Sequence, residues 1–266
     1  MTPETFEVDG LAAARFGELA PGELPVVLVH GAMDRSSGLR RSVRHLQPGV
    51  VVTYDRRGYA GSLAAGISTT MAEQVADLLA VIDAVTSGPA VVVGHSLGGL
   101  IALHAAIAAP DRVAAVGAWE PPMPWEDWYV SAAARAAMDV GADQDPADSA
   151  ETFMRSMIGD RLWERLPADF RAERRAEGAT LRADLTLSSA PETRLDLAEV
   201  TVPVVAGFGS ESPERFHLSA QAVAAGVPHG EVVEVEGSSH GVHLSHPADF
   251  AAFVQQVLRR VPEVRR

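Results

Sequence analysis

The chain has 266 residues, 47% hydrophobic and 21% charged, a balance that suits one large globular domain or a core domain with an insertion. Its net charge of −13 argues against binding nucleic acid or an anionic membrane, and without cysteine it can form neither a disulfide nor a thiolate metal site. The N-terminus is acidic with no apolar signal core, and no apolar run reaches about 18 residues, so a cytoplasmic protein without a membrane span is expected.

Residues 5–8 and 11–16 read as a hairpin turning at Asp9-Gly10. The apolar runs 26–29 and 50–54 read as strands, the first preceded by Pro25. Residues 72–85 carry Val75, Leu78, Leu79, Ile82 and Val85 at helical spacing. A strand at 91–93 runs into a helix that Pro110 closes, and 113–119 is the next strand. Residues 122–198 contain no convincing buried strand, only Ala/Arg-rich segments of helical spacing at 126–140, 149–166 and 168–187. Strand and helix then resume: strand 202–208, helix 214–225, strand 232–235 and a closing helix 247–260 with Pro247 in its first turn. This alternation predicts an α/β fold, a mainly parallel sheet with helices on both faces. Residues 1–121 and 199–266 would form its core, and 122–198 a helical lid, or cap, at the sheet's carboxyl edge, where ligands of open α/β sheets bind.

The most informative stretch is Val91-Val92-Val93-Gly94-His95-Ser96-Leu97-Gly98-Gly99. Strand, sharp turn and helix follow one another with a serine at the apex. Only small residues fit beside such a serine, hence Gly94 and Gly98. A serine hydroxyl is a weak nucleophile that needs a base, an acid to orient the base, and donors for the oxyanion. Of nine histidines, His240 stands in the small-residue loop Gly237-Ser238-Ser239-His240-Gly241, after the last strand and at the same sheet edge as Ser96. His243 and His246 are its rivals, expected instead to make local hydrogen bonds. His95 is expected to point away from the base, and His30 to hold its own loop in shape. Residues 240, 243 and 246 also raise a metal site, which the loop origin of His240 argues against. The natural oxyanion donors are the amides of Leu97, just after the serine, and of Ala32 in His30-Gly31-Ala32-Met33.

These motifs make the chain resemble the α/β-hydrolase-fold serine hydrolases. The resemblance runs from residue 26 to the last helix, the cap excepted. His30-Gly31 resembles the family's oxyanion loop. Asp55-Arg56-Arg57-Gly58-Tyr59-Ala60-Gly61-Ser62 resembles its D-x-R-G-x-G-x-S loop, with alanine at 60 where glycine is usual. The histidine loop through Pro247 matches too. The motifs are specific to the fold and say little about substrate.

The acid departs from the family's commonest pattern. The loop after strand 202–208 reads Gly209-Ser210-Glu211-Ser212-Pro213, with serine in register with the usual aspartate and Glu211 one residue off. Some relatives, the haloalkane-dehalogenase branch among them, take the acid from the end of the strand after the nucleophile helix. Here Ala118-Trp119-Glu120-Pro121-Pro122 ends that strand, 24 residues beyond Ser96. Glu120 is therefore the leading acid and Glu211 the alternative. A serine at 96 argues against the dehalogenases and epoxide hydrolases of this fold, which attack with a carboxylate.

A pocket of Met33, Met123, Trp125 and Trp128 is expected near the cap. The resulting reading is a hydrolase of an ester, thioester or lactone with an apolar acyl part, needing no cofactor or metal. Ser96, His240 and Glu120 would be catalytic, and Ala32 and Leu97 would hold the oxyanion. A C–C bond hydrolase would use the same residues. A non-catalytic ligand-binding protein on this fold is the alternative of another class. The partner is a small apolar molecule, not nucleic acid or membrane, and the sequence permits a homo-oligomer.

Overall fold

The computed structural model describes residues 2–20, 22–46, 49–140 and 145–262. The hairpin is present: β1 (Glu4–Val8) and β2 (Leu11–Phe16) pair antiparallel. Asp9 (φ 50°) and Gly10 (φ 81°) both take the left-handed conformation that a two-residue hairpin turn requires. The apolar runs become β3 (Val26–Val29), β4 (Val51–Tyr54), β5 (Ala90–His95) and β6 (Val113–Trp119), buried along their whole length. β7 (Val204–Gly209) and β8 (Gly230–Val235) complete one eight-stranded sheet of order β1-β2-β4-β3-β5-β6-β7-β8. Every pairing from β4 to β8 is parallel, and β2 joins β4 antiparallel.

Helices cover both faces. α2 (Met71–Asp83), α3 (Leu97–Ala108) and α9 (Glu214–Gly226) share one apolar core with the sheet, through Leu78, Ile101 and Val223 among others. α1 (Ser36–Val43) and α11 (Pro247–Arg259) bury Leu39, Val43, Phe250 and Phe253 on the other face. The sequence does not announce α1. Its first amide, Ser36 N–H, donates to Asp55 Oδ1 at 2.8 Å, a cap supplied from 19 residues away.

Between β6 and β7 the chain forms α4 (Ala132–Asp139), α5 (Pro146–Ile158), α6 (Asp160–Arg165), α7 (Ala168–Ala176) and α8 (Gly178–Ser189). The three helical segments expected there break at definable points. Residues 126–131 are irregular, with a turn at 127–128, and α4 starts only where Ser131 Oγ accepts the Ala134 amide. Gly159, at φ 81°, divides the second segment. The third divides at Glu177, whose buried Oε1 accepts from Arg35 Nε and from the Ala60 amide, each at 3.0 Å. A short helix α10 (Val242–Ser245) precedes α11. No helix among the described residues is long and apolar enough to cross a membrane.

Candidate active site

Ser96 sits at the junction of β5 and α3 with φ 53° and ψ −123°, a strained backbone for a residue with a side chain. The tightness of the turn is measurable. A Cβ on Gly94 would lie 2.0 Å from the carbonyl oxygen of Gly98, and one on Gly98 would lie 2.2 Å from that of Val29. Both glycines are therefore there for close approach of backbone to backbone. Gly31 backs onto the serine in the same way, since a Cβ there would be 2.9 Å from Ser96 Cβ.

His240, in the loop between β8 and α10, brings Nδ1 to 2.6 Å from Glu120 Oε2. Glu120 is fully buried at the end of β6 and has a left-handed backbone, φ 46°. Its other oxygen, Oε1, accepts the Gly209 amide at 2.9 Å and the Ser212 hydroxyl at 2.5 Å. The serine that stands in register with the family's usual acid thus donates to the glutamate. With Nδ1–H directed at a carboxylate, the basic nitrogen of His240 is Nε2. Phe216 stacks on the imidazole at 4.3 Å with planes 12° apart. Glu211 is exposed, and its described bond runs from its backbone amide to the Ser238 carbonyl.

His95 departs from expectation. Its ring turns toward the base, 4.6 Å from the His240 ring, and Nε2 donates to the His240 carbonyl at 2.7 Å. Burial, reinforced by His243 and His240, pushes its pKa well below the usual histidine value, so it remains the neutral brace of the His240 loop. His243 also departs. Instead of a local bond it places Nε2 3.0 Å from Asp34 Oδ2 and packs 4.4 Å from His95. Burial raises the Asp34 carboxyl, but the close contact with His243 outweighs that and holds it well below the carboxylate range. Asp34, His95 and His243 bring ligand-type atoms within 4.8 Å of one another, the group among the described residues that could hold a metal ion. The cluster of residues 240, 243 and 246 is not brought together as a ligand set: His246 bonds to its neighbour Ser245. His30 does hold its loop, bonding the Gly31 carbonyl through Nδ1 and accepting the Arg56 amide at Nε2.

The amides of Ala32 and Leu97 donate to no described residue, and both residues line a cavity with Ser96 and His240. A buried network holds the Ala32 loop. Arg56 donates from Nε to the His30 carbonyl and from Nη2 to that of Gly31. It forms a two-pronged pair with Asp184 of α8, at 3.1 and 2.6 Å, and Tyr59 donates to the same carboxylate at 2.7 Å. The Met33 amide in turn donates to the Tyr59 hydroxyl. Nothing in the sequence pattern pairs residue 56 with residue 184.

The cavity measures about 210 Å³, small for a ligand pocket. Its far wall comes from Tyr129 and from α4, α5 and α8, through Ala134, Phe153, Met157 and Leu185. The four pocket residues expected from sequence are elsewhere. Met33 and Met123 are buried in the apolar cores, and Trp125 and Trp128 pack against the sheet-side core. A second cavity of about 310 Å³, between Leu24, Leu46, Leu258 and Val261, touches the opening residues of β3 and β4 and holds none of the candidate catalytic groups.

The alpha/beta hydrolase family profile matches residues 26–253. Lipase LipV of Mycobacterium tuberculosis is 32% identical over 139 residues, which are 52% of this chain and 52% of the lipase. The mitochondrial palmitoyl-protein thioesterase ABHD10 of Mus musculus is 30% identical over 118 residues, 41% of this chain and 37% of that protein. The matches thus span about half or less of these curated relatives. An alpha/beta hydrolase from Sphaerobacter thermophilus superposes with a TM-score of 0.69 at 26% identity, covering 94% of this chain and all of that one. The enol-lactonase from Burkholderia xenovorans shares the fold with a TM-score of 0.73 at 19% identity, over 96% of this chain and 100% of that one.

Proposed function

This chain belongs to the alpha/beta hydrolase family, and on that premise we propose that it is a serine hydrolase cleaving a small carboxylic ester, thioester or lactone through a covalent acyl-enzyme. The observation that carries the reading is the convergence, on one cavity, of a serine at a strained strand–helix turn, a histidine bonded to a buried carboxylate, and two unengaged backbone amides. The relatives named lipase and thioesterase, and the neighbour named enol-lactonase, support carbonyl chemistry of this class.

On this reading Ser96 Oγ attacks the carbonyl carbon while His240 Nε2 takes its proton. Glu120 holds Nδ1–H and stabilises the imidazolium that forms. The oxyanion accepts the Ala32 and Leu97 amides, each such donor being worth about 3 kcal/mol in the transition state. The proton passes to the leaving group. His240 then takes a proton from water, whose oxygen attacks the acyl carbon, and returns that proton to Ser96 Oγ as the acyl–oxygen bond breaks, leaving the free acid and Ser96. Helices α4–α8 serve as the cap: side chains of α4, α5 and α8 wall the cavity opposite Ser96, and the Arg56–Asp184 pair ties α8 to the oxyanion loop. The small cavity favours a short acyl part.

A fluorophosphonate probe and a series of p-nitrophenyl esters of graded length test the proposal. Wild type should be labelled at Ser96 and should turn over the shorter esters. Ser96→Ala should lose labelling and fall below about 1% of wild-type turnover, since removing a triad nucleophile typically costs several orders of magnitude. A labelled or active Ser96→Ala variant would refute the covalent mechanism.

A further inference from the structure

One cation on the cavity wall has no carboxylate partner among the described residues. Arg215, in the first turn of α9, lines the cavity with Ser96 and His240. Its guanidinium carbon lies 4.4 Å from the centre of the Phe216 ring, the ring that stacks on His240. No described carboxylate pairs with it, and its Nε is buried without a hydrogen-bond partner. The neighbour it does have is the Tyr129 hydroxyl, a neutral group whose ionisation burial suppresses. The other charged side chain on this wall, Asp184, is matched already by Arg56 and Tyr59. The cavity wall therefore presents, among largely apolar side chains, one half-buried cation without a described carboxylate partner. Its buried Nε is a donor that a group of opposite charge would complete.

We propose that Arg215 is the counter-ion for a carboxylate on the substrate, placed a few bonds from the scissile carbonyl. This rests on the serine-hydrolase reading for its chemistry and adds the substrate class: a short, monoanionic ester, thioester or lactone. A single arginine matches one negative charge and presents a planar fork that fits a carboxylate. A phosphate monoester would bring close to two charges into a space that neutralises one. The carboxylate can belong to the acyl part or to the leaving part, and Arg215 would recognise either.

Three phenyl esters separate these cases. Phenyl hydrogen glutarate carries the charge on the acyl part, 4-carboxyphenyl pentanoate carries it on the leaving part, and phenyl pentanoate is the neutral reference. Wild type should prefer one of the anionic esters over the reference in kcat/KM. Arg215→Met should lower that preference about ten- to hundredfold, the range of a hydrogen bond to a charged group. The loss should lie mainly in KM, as for an interaction made equally in ground and transition states. Arg215→Lys should restore part of it. An unchanged ratio in Arg215→Met, or no anionic preference in wild type, would overturn the proposal while leaving the serine-hydrolase reading intact. If wild type cleaves none of the three, that reading fails, and calorimetric binding of pentanoate, a monoanion, decides the Arg215 proposal alone. Binding that Arg215→Met weakens tenfold or more sustains it, and no binding by wild type overturns it.

Discussion

Replacing Glu120 by glutamine separates orientation of the base from simple packing. The side chain keeps its shape, so its cost depends on which way the new amide faces. Oε1 now accepts two hydrogen bonds, from the Gly209 amide and the Ser212 hydroxyl. Turning the amide NH2 toward that side would set a donor against a buried N–H, at about 1–3 kcal/mol for the group left unsatisfied. The oxygen should therefore stay and the NH2 should face His240 Nδ1. That nitrogen must then accept, which moves the ring proton to Nε2 and leaves no lone pair for the serine proton. The expected loss in kcat is about four orders of magnitude, as for the acid-to-amide change in serine proteases. The assay is kcat on one good p-nitrophenyl ester, with thermal melting alongside to show that the fold persists. Glu211→Gln is the control and should retain most of the activity. A loss under tenfold at 120, or a larger loss at 211, would refute the assignment of the acid.

Asp184→Ala would leave the Arg56 guanidinium buried without a counter-charge, and urea unfolding should show a loss of about 3–5 kcal/mol. Gly94→Ala would drive a methyl group to 2.0 Å from a backbone oxygen, so the variant should be recovered unfolded or with a melting temperature lowered by many degrees. Stability should fall as pH drops from about 6.5 toward 4. Burial and Arg56 lower the His30 pKa to about 4, and burial lowers that of His95 well below its usual value, whereas both protonate near 6.5 once unfolded. The unfolded chain therefore binds more protons in that window. His30 should withdraw about 2 kcal/mol by pH 5, and His95 acts in the same direction. Urea melts at pH 7.5 and pH 5.0 check this, and equal stabilities would contradict it.

What was legible in the sequence follows a physical divide. β3 and β6 have the boundaries expected of them because uninterrupted apolar runs flanked by turn residues leave a buried strand few alternatives. Ser96 was legible because the flanking glycines report a backbone clash, a local constraint. The contacts that sequence reading missed are between residues far apart in the chain. Asp55 caps α1, Asp184 meets Arg56 from 128 residues away, and His243 meets Asp34 across the histidine loop. Residue type alone does not choose such partners. The ring of His95 was misdirected for the same reason: the group it bonds, the His240 carbonyl, belongs to a loop 145 residues later.

The origin of the acid has an explanation in strand order. β8, which leads into the His240 loop, neighbours β7, and β6 lies one strand further away. Neighbouring strands are about 4.8 Å apart. A carboxylate from the end of β7 would reach the imidazole on a short side chain, which suits the aspartate that the family's commonest pattern places there. The imidazole, however, lies 4.6 Å from the ring of His95 at the end of β5, and β6 stands between β5 and β7, so β6 can also supply the carboxylate. Three features of this chain fit that arrangement. The residue is glutamate, longer by one methylene. Its backbone takes φ 46°, which redirects the side chain from the strand's regular alternation. β7 presents no carboxylate in the way: its end offers the Gly209 amide and, just beyond, the Ser212 hydroxyl, both as donors to Glu120. A hydroxyl at 212 is what the displaced arrangement requires, because an aspartate there would set a second negative charge against the first in a buried site. The serine at 212 and the glutamate at 120 are thus one coupled choice: the hydroxyl donates to the carboxylate that Glu120 holds against His240.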